Sequence, residues 1–174
     1  NVAAFLIFFR IAARKAGLLL ASVAALLFMP IIAERTEIRP EALSYLFAGV
    51  SFLLLLKRRE NGLSNKMLVA ALGLLQVLWV NVHIYFFLGW ALVGAFLVES
   101  VSISGFKSAR TRVLTLGFGT VLAASLINPF GLGGALAPLT IFDEYGYRLV
   151  ENQSVWFLQS MLNRPNLLYF EIAL

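Results

Sequence analysis

The stretch MLVAALGLLQVLWVNVHIYFFLGWALVGAFLV, residues 67–98, decides how this chain folds. It is 32 residues long and contains no Asp, Glu, Lys or Arg. As one helix it would measure about 48 Å, because an α-helix rises about 1.5 Å per residue, whereas the hydrocarbon core of a bilayer is about 30 Å thick. Two polar side chains, Asn81 and His83, lie near its middle, and they cost least where the chain reaches water or a polar cavity. We therefore expect a short helical hairpin over residues 67–98, with its tip at residues 81–83.

The composition of the whole chain is typical of a membrane protein. Of its 174 residues, 60% are hydrophobic and 13% are charged, whereas an average soluble domain has about 25% charged residues. The apolar runs predict an all-α, polytopic integral membrane protein with about five complete transmembrane spans plus partial spans at both ends. The complete spans are expected at roughly residues 17–33, 40–56, 67–80, 84–98 and 112–127. The partial spans predict that residues 1–174 form one transmembrane domain, taken from a longer protein.

Composition also makes several kinds of chemistry improbable. The chain has no cysteine and one histidine, which argues against a thiolate zinc site, an iron–sulfur cluster and a multi-histidine metal cage. The sequence contains no P-loop and no dinucleotide-binding glycine motif. We expect neither a metal nor a cofactor. The net charge of +5 is explained by basic loops facing anionic lipid headgroups, so nucleic acid is not an expected partner.

Lysine and arginine predict the orientation of the chain in the membrane. Ten of the 14 fall in three segments, residues 10–15, 57–66 and 107–112. The positive-inside rule makes such segments cytoplasmic. All three lie on one face only if the chain turns near Asn81, so span length and charge predict the same hairpin. The expected location is the bacterial inner membrane, with these loops in the cytoplasm and Asn81 near the outer surface.

Residues 128–165 are expected to form an amphipathic or loop region on the outer face. The segment begins with several prolines and glycines, which argue for a broken or interfacial helix instead of a straight span. Tyrosine and tryptophan follow, and these side chains favour headgroup depth.

Two arginines at the outer end of a predicted span are candidates for binding phosphate. Arg35 and Arg39 are four residues apart, so on a helix their guanidinium groups would share a face and could grip one phosphate. The alternative is a solvated loop in which neighbouring glutamates neutralise both arginines.

Three further polar residues are candidates for lining a cavity on the outer face. An imidazole at the position of His83 could donate to a phosphate oxygen or move a proton near neutral pH, with Asn81 beside it. Alternatively, His83 bonds to a backbone carbonyl or caps the broken helix. Glu151 is a candidate general base or hydroxyl ligand, and its alternative is a solvated loop glutamate.

Four segments together resemble successive landmarks of one protein family. They are RTEIRPEALSYLF at 35–47, LWVNVH at 78–83, LINPFG at 126–131 and VENQS at 150–154. The family consists of mostly uncharacterised bacterial multi-pass membrane proteins, and it is similar to the GT-C superfamily of integral-membrane glycosyltransferases. The chain departs from the family pattern at Ile84 and Tyr85, where glycines are expected.

The resemblance implies a glycosyltransferase-like protein that acts on the outer, periplasmic face with a polyprenyl-phosphate-linked sugar. Arg35 and Arg39 would hold the donor phosphate, Asn81 and His83 would line the cavity, and Glu151 would contact the acceptor. The acidic catalytic residue of such enzymes lies in the first outer loop, which we expect upstream of this segment, so no catalytic residue is assigned. The implied partners are membrane lipids, the lipid-linked sugar and other membrane subunits.

Two other functions fit the same sequence. The chain could be a non-catalytic accessory subunit of a larger membrane complex, or a transporter whose broken helices form a site at the midplane. The enzyme requires Arg35, Arg39, His83 and Glu151 to converge on one water-accessible cavity, whereas an accessory subunit does not.

Overall fold

The computed structural model describes residues 2–33, 40–60 and 62–140, which are helical and contain no strand. The all-α prediction is confirmed for this part of the chain. The helices are α1 (Val2–Ala16), α2 (Leu18–Ala33), α3 (Glu41–Arg59), α4 (Asn65–Val80), α5 (Phe87–Ser104, preceded by a 3-10 turn at Ile84–Phe86), α6 (Ala109–Ala124) and α7 (Gly131–Thr140).

Local sequence signals set several helix ends. Ser64 and Ser108 precede α4 and α6, and each serine hydroxyl accepts a hydrogen bond from the backbone N–H three residues later, at 3.3 and 3.0 Å. This contact satisfies one of the free N–H groups of the first turn. Helix α5 ends at Ser104, and the next residue, Gly105, has a φ of 75°, which glycine adopts readily because it has no Cβ.

The long apolar run divides where its polar residues lie. Helix α4 ends at Val80, and His83 has an extended backbone with φ −156° and ψ 143° before the 3-10 turn begins. The amide Nδ2 of Asn81 donates to the carbonyl of Val77 at 2.8 Å, which satisfies an acceptor at the end of α4. The predicted break at residues 81–83 is confirmed.

Helices α3 to α6 form a bundle in which the chain direction alternates. Contacts join the start of α3 to the end of α4, and the end of α3 to the start of α4, so these helices are antiparallel; the pairs are Ser44–Trp79 and Arg58–Asn65. Helices α5 and α6 are antiparallel by the same test, through Trp90–Ser125 and Glu99–Arg110. Around the bundle, α3 and α6 each pack against both α4 and α5.

This topology gives the bundle two different ends. One, here called the polar end, contains the start of α3, residues 81–83 and the end of α6. The other, the basic end, contains residues 57–60, 62–66 and 107–112. These two basic segments therefore share one end, opposite Asn81, as the hairpin prediction requires.

An apolar cluster lies in the bundle interior. Its core consists of Leu55, Leu68, Leu72, Val93, Leu114 and Val121, all at most 5% exposed. Gly73 lets α4 approach α6, because a Cβ at this position would lie 2.9 Å from Cγ2 of Thr120. Small residues at helix contacts are typical of membrane bundles.

Contacts divide the chain into two compact units. One comprises residues 1–7 and 39–138 and includes the bundle. The other comprises residues 8–38 and 139–174, of which the structure describes 8–33, 139 and 140.

Among the described residues, one helical segment is long and apolar enough to cross a membrane. It is Ile84–Ser104, with 21 residues and a mean hydropathy of 1.9. Leu18–Met29 and Asn65–Val80 are apolar but shorter. Helices α3 and α6 coincide with predicted spans but carry charged residues at one or both ends. The predicted number of complete spans stays a prediction. Of the region 128–165, the structure describes residues up to 140, including α7 with Pro138 inside it.

Candidate functional site

A chain of hydrogen bonds connects three side chains at the polar end. Nε1–H of Trp79 donates to Oγ of Ser44 at 2.8 Å, and Oγ of Ser44 lies 2.9 Å from Nδ1 of His83. Trp79 and Ser44 are fully buried, whereas His83 is partly exposed. These hydrogen bonds join the start of α3, at Ser44, to the last turn of α4 and to His83 at the helix break.

The hydrogen bonds are compatible with a neutral imidazole that has its proton on Nε2. An indole N–H can only donate, so the hydroxyl of Ser44 accepts from Trp79 and can turn its own hydrogen toward Nδ1 of His83. Nδ1 is then the acceptor, and the proton of the neutral ring is on Nε2. The ring of Tyr85 packs edge-on against the imidazole, with the ring centroids 4.4 Å apart. His83 is therefore held on both sides.

Two opposing effects act on the pKa of His83. Burial of the ring lowers the pKa below its ordinary value of 6.5, because the charged form loses hydration. Glu41, in the first turn of α3, raises it through its negative charge, but burial is the larger effect. The neutral form is thus favoured near neutral pH. Nε2 has no hydrogen-bond partner in the described part of the chain, so it is available to donate to a ligand.

A second polar cluster lies deeper in the same end. Nε2 of Gln76 donates to Oγ of Ser125 at 2.9 Å and to the carbonyl of Phe86 at 3.1 Å. Nε1–H of Trp90 also donates to Oγ of Ser125, at 2.8 Å, and this hydroxyl donates to the carbonyl of Val121. Every buried side-chain nitrogen and oxygen among the described residues has a partner. This cluster ties α4, α5 and α6 together without a ligand.

Two asparagines at this end, Asn81 and Asn128, donate hydrogen bonds to backbone carbonyls. Besides its bond to α4, Nδ2 of Asn81 donates to the carbonyl of Ile127 at 2.8 Å, which links the helix break to the end of α6. Asn128 donates to the carbonyls of Ser125 and Gly131, both at 2.8 Å. Both asparagines therefore support the chain where it turns.

The candidate residues from the sequence have different outcomes. Asn81 and His83 lie at the same end of the bundle, but the side chain of Asn81 is committed to backbone carbonyls and that of His83 to Ser44. Arg35, Arg39 and Glu151 lie outside the described residues, so the convergence of these residues on one cavity stays a prediction. Within the described ranges, no three His, Cys, Asp or Glu side chains are close enough to hold a metal ion.

Sequence reasoning did not assign Ser44 or Trp79 to the site. Both residues lie inside the landmark segments at 35–47 and 78–83, which was the only signal for them. A serine and a tryptophan in apolar helices have no pattern that predicts a hydrogen bond between residues 35 positions apart.

Comparison with protein-family models, with curated proteins and with solved structures gives no match to this chain. The resemblance to GT-C glycosyltransferases thus depends on the sequence landmarks.

Proposed function

We propose that the chain is the membrane part of a glycosyltransferase-like protein, acting at the polar end of its bundle on a polyprenyl-phosphate-linked sugar. The proposed membrane location is supported by the apolar surface of the bundle. Large apolar side chains in the middle of the helices are exposed, such as Leu74 at 64% and Leu116 at 62%. Surfaces of this kind are covered by lipid or by another protein.

The position and form of His83 carry the functional part of the proposal. The imidazole is fixed through Nδ1, its neutral form is favoured, and Nε2 is available at the end opposite the basic loops. A neutral imidazole of this kind can donate a hydrogen bond to a phosphate oxygen or exchange a proton with a leaving group. Arg39, which is proposed to bind the phosphate, directly precedes Pro40, the residue before α3. It is therefore close in sequence to this end.

Two substitutions at His83 test the proposal. His83→Asn keeps an acceptor near the position of Nδ1, and therefore the contact with Ser44, but removes Nε2. His83→Gln places an amide near Nε2 instead. With the protein in lipid nanodiscs, binding of a polyprenyl phosphate is expected to weaken about tenfold in His83→Asn, the size of one hydrogen bond to a charged group, and less in His83→Gln.

Controls make this comparison specific. Arg39→Ala is expected to weaken binding at least as much as His83→Asn, and Arg39→Lys to restore part of it, because the guanidinium fork is lost but the charge is kept. Unchanged binding in both His83→Asn and Arg39→Ala would contradict the proposed site.

A second candidate is an accessory subunit of a membrane complex. The satisfied cluster around Gln76 and Ser125 supports it, because such clusters hold helices together and require no ligand. This function predicts that the chain copurifies with fixed partner subunits and that polyprenyl phosphate binding is absent. The transporter alternative has no supporting observation among the described residues, where the bundle interior contains an apolar core and polar side chains that bond to protein groups.

A further inference from the structure

A cleft at the basic end lies far from His83 and has no role in the proposed transfer reaction. It opens between α3, α5 and α6 and has a volume of about 140 Å³. This is roughly ten times the 10–15 Å³ that a cavity needs to hold one water molecule. Arg58, Arg59 and Arg110 line one part of the cleft, and apolar side chains that include Leu55 and Phe96 line the rest.

One carboxylate positions two of these arginines. Oε1 of Glu99 lies 3.0 Å from Nη2 of Arg59, and Oε2 lies 3.1 Å from Nη2 of Arg110. The side chain of Glu99 is 32% exposed, so water does not fully screen these contacts. Glu99 is also the only acidic residue between Glu60 and Asp143 in the sequence. The carboxylate therefore holds a guanidinium from α3 and one from α6 against the same helix, α5.

The third arginine is oriented by a different contact. Nε of Arg58 donates to Oδ1 of Asn65 at 2.7 Å, which fixes the plane of its guanidinium group. The three arginines that line the cleft outnumber the one carboxylate that binds two of them. A compact anion with several acceptor oxygens is the chemical complement of such a site.

Arg59 and Arg110 retain donors for a ligand. A guanidinium has five N–H groups, and in the part of the chain that the structure describes Glu99 is the side-chain partner of both Arg59 and Arg110, through one Nη of each. The remaining N–H groups can bind a phosphate in the forked geometry that arginine favours.

We propose that this cleft binds a phosphate group, most directly that of an anionic phospholipid. The arginines would hold the phosphate oxygens, and the apolar wall would contact the adjoining glycerol and acyl carbons. Clusters of basic residues at the cytoplasmic end of membrane helices attract anionic headgroups. A free phosphate ion shares the first of these interactions but makes no use of the apolar wall, which is why the lipid is favoured.

The test uses the full chain in nanodiscs, with native mass spectrometry to count retained phosphatidylglycerol and phosphatidylcholine. The wild type is expected to retain more phosphatidylglycerol than phosphatidylcholine. Arg59→Gln and Arg110→Gln should each lower its apparent affinity about tenfold, as expected for lost hydrogen bonds to a charged group. Arg112→Gln is the matched control, because it removes the same charge two residues from Arg110. Arg112 is exposed and does not line the cleft.

Equal losses in Arg110→Gln and Arg112→Gln would overturn the proposal, since they would indicate general surface attraction. Retention of both lipids to the same extent, together with no effect of inorganic phosphate, would overturn it too. Competition by millimolar inorganic phosphate without a preference for phosphatidylglycerol would support the phosphate site and identify its ligand as the soluble ion. If a glutamine variant does not fold, Arg59→Lys and Arg110→Lys keep the charge, and each should retain part of the affinity; full retention in both would contradict the forked geometry.

Discussion

At the scale of single residues, Ser44 links Trp79 and His83 at the polar end. Its hydroxyl is the acceptor for the buried indole of Trp79 and the partner of His83. Ser44→Ala would leave the Trp79 N–H without an acceptor, which costs about 1–3 kcal/mol of unfolding free energy. The measurement is denaturant unfolding of the purified protein in detergent. Ser51→Ala, at a buried serine of the same helix outside this network, is the control, and an equal loss there would contradict a specific role for Ser44.

His83 predicts how stability depends on pH. Because burial lowers its pKa below 6.5 in the folded protein, the unfolded chain binds more protons in the interval between the two pKa values. The contribution of His83 to stability is therefore complete above 6.5 and is lost as the pH falls below it. The unfolding midpoints of the wild type and of His83→Gln should therefore diverge as the pH falls below 6.5, with the smaller decrease in the variant. Parallel pH profiles would contradict this assignment.

At the scale of helices, the position of the Gln76 side chain of α4 beside the start of α5 depends on Gly89. A Cβ at residue 89 would overlap the side-chain carboxamide of Gln76. Gly89→Ala is expected to displace Gln76 from Ser125 and to destabilise the protein by about 1–3 kcal/mol, from overpacking and a lost buried hydrogen bond. Gly119→Ala is the matched control, because a Cβ at Gly119 meets nothing within 4 Å. It should stabilise α6 by up to about 1 kcal/mol, and thermal unfolding of both variants measures the difference.

The helices also show what a sequence can predict. The division of residues 67–98 was predictable, because apolar length and two polar residues both point to it. The start of α6 was not predictable from hydropathy: the expected span begins at roughly residue 112, where the charged residues end, whereas the helix begins at Ala109 and contains Arg110 and Arg112. The contacts Ser44–His83 and Arg59–Glu99–Arg110 were not predictable, because they join distant residues and depend on helix packing.

At the scale of the whole molecule, the bundle places polar groups at one end and arginines and lysines at the other. The proposed orientation, with the basic end in the cytoplasm and residues 81–83 outside, requires the charges to be separated in this way. The chain has no cysteine, so single cysteines can be introduced without removing a native one. Val82 and Phe106 suit this purpose, because they are 39% and 79% exposed and lie at opposite ends of the bundle.

The most direct test is labelling of Val82→Cys and Phe106→Cys in intact spheroplasts of a bacterial host with a membrane-impermeant maleimide. We expect Val82→Cys to react from outside, whereas Phe106→Cys should react only after the membrane is opened. Reaction of Phe106→Cys in intact spheroplasts, with Val82→Cys protected, would contradict the proposed orientation. Recovery of both variants in the soluble fraction would contradict the membrane assignment itself.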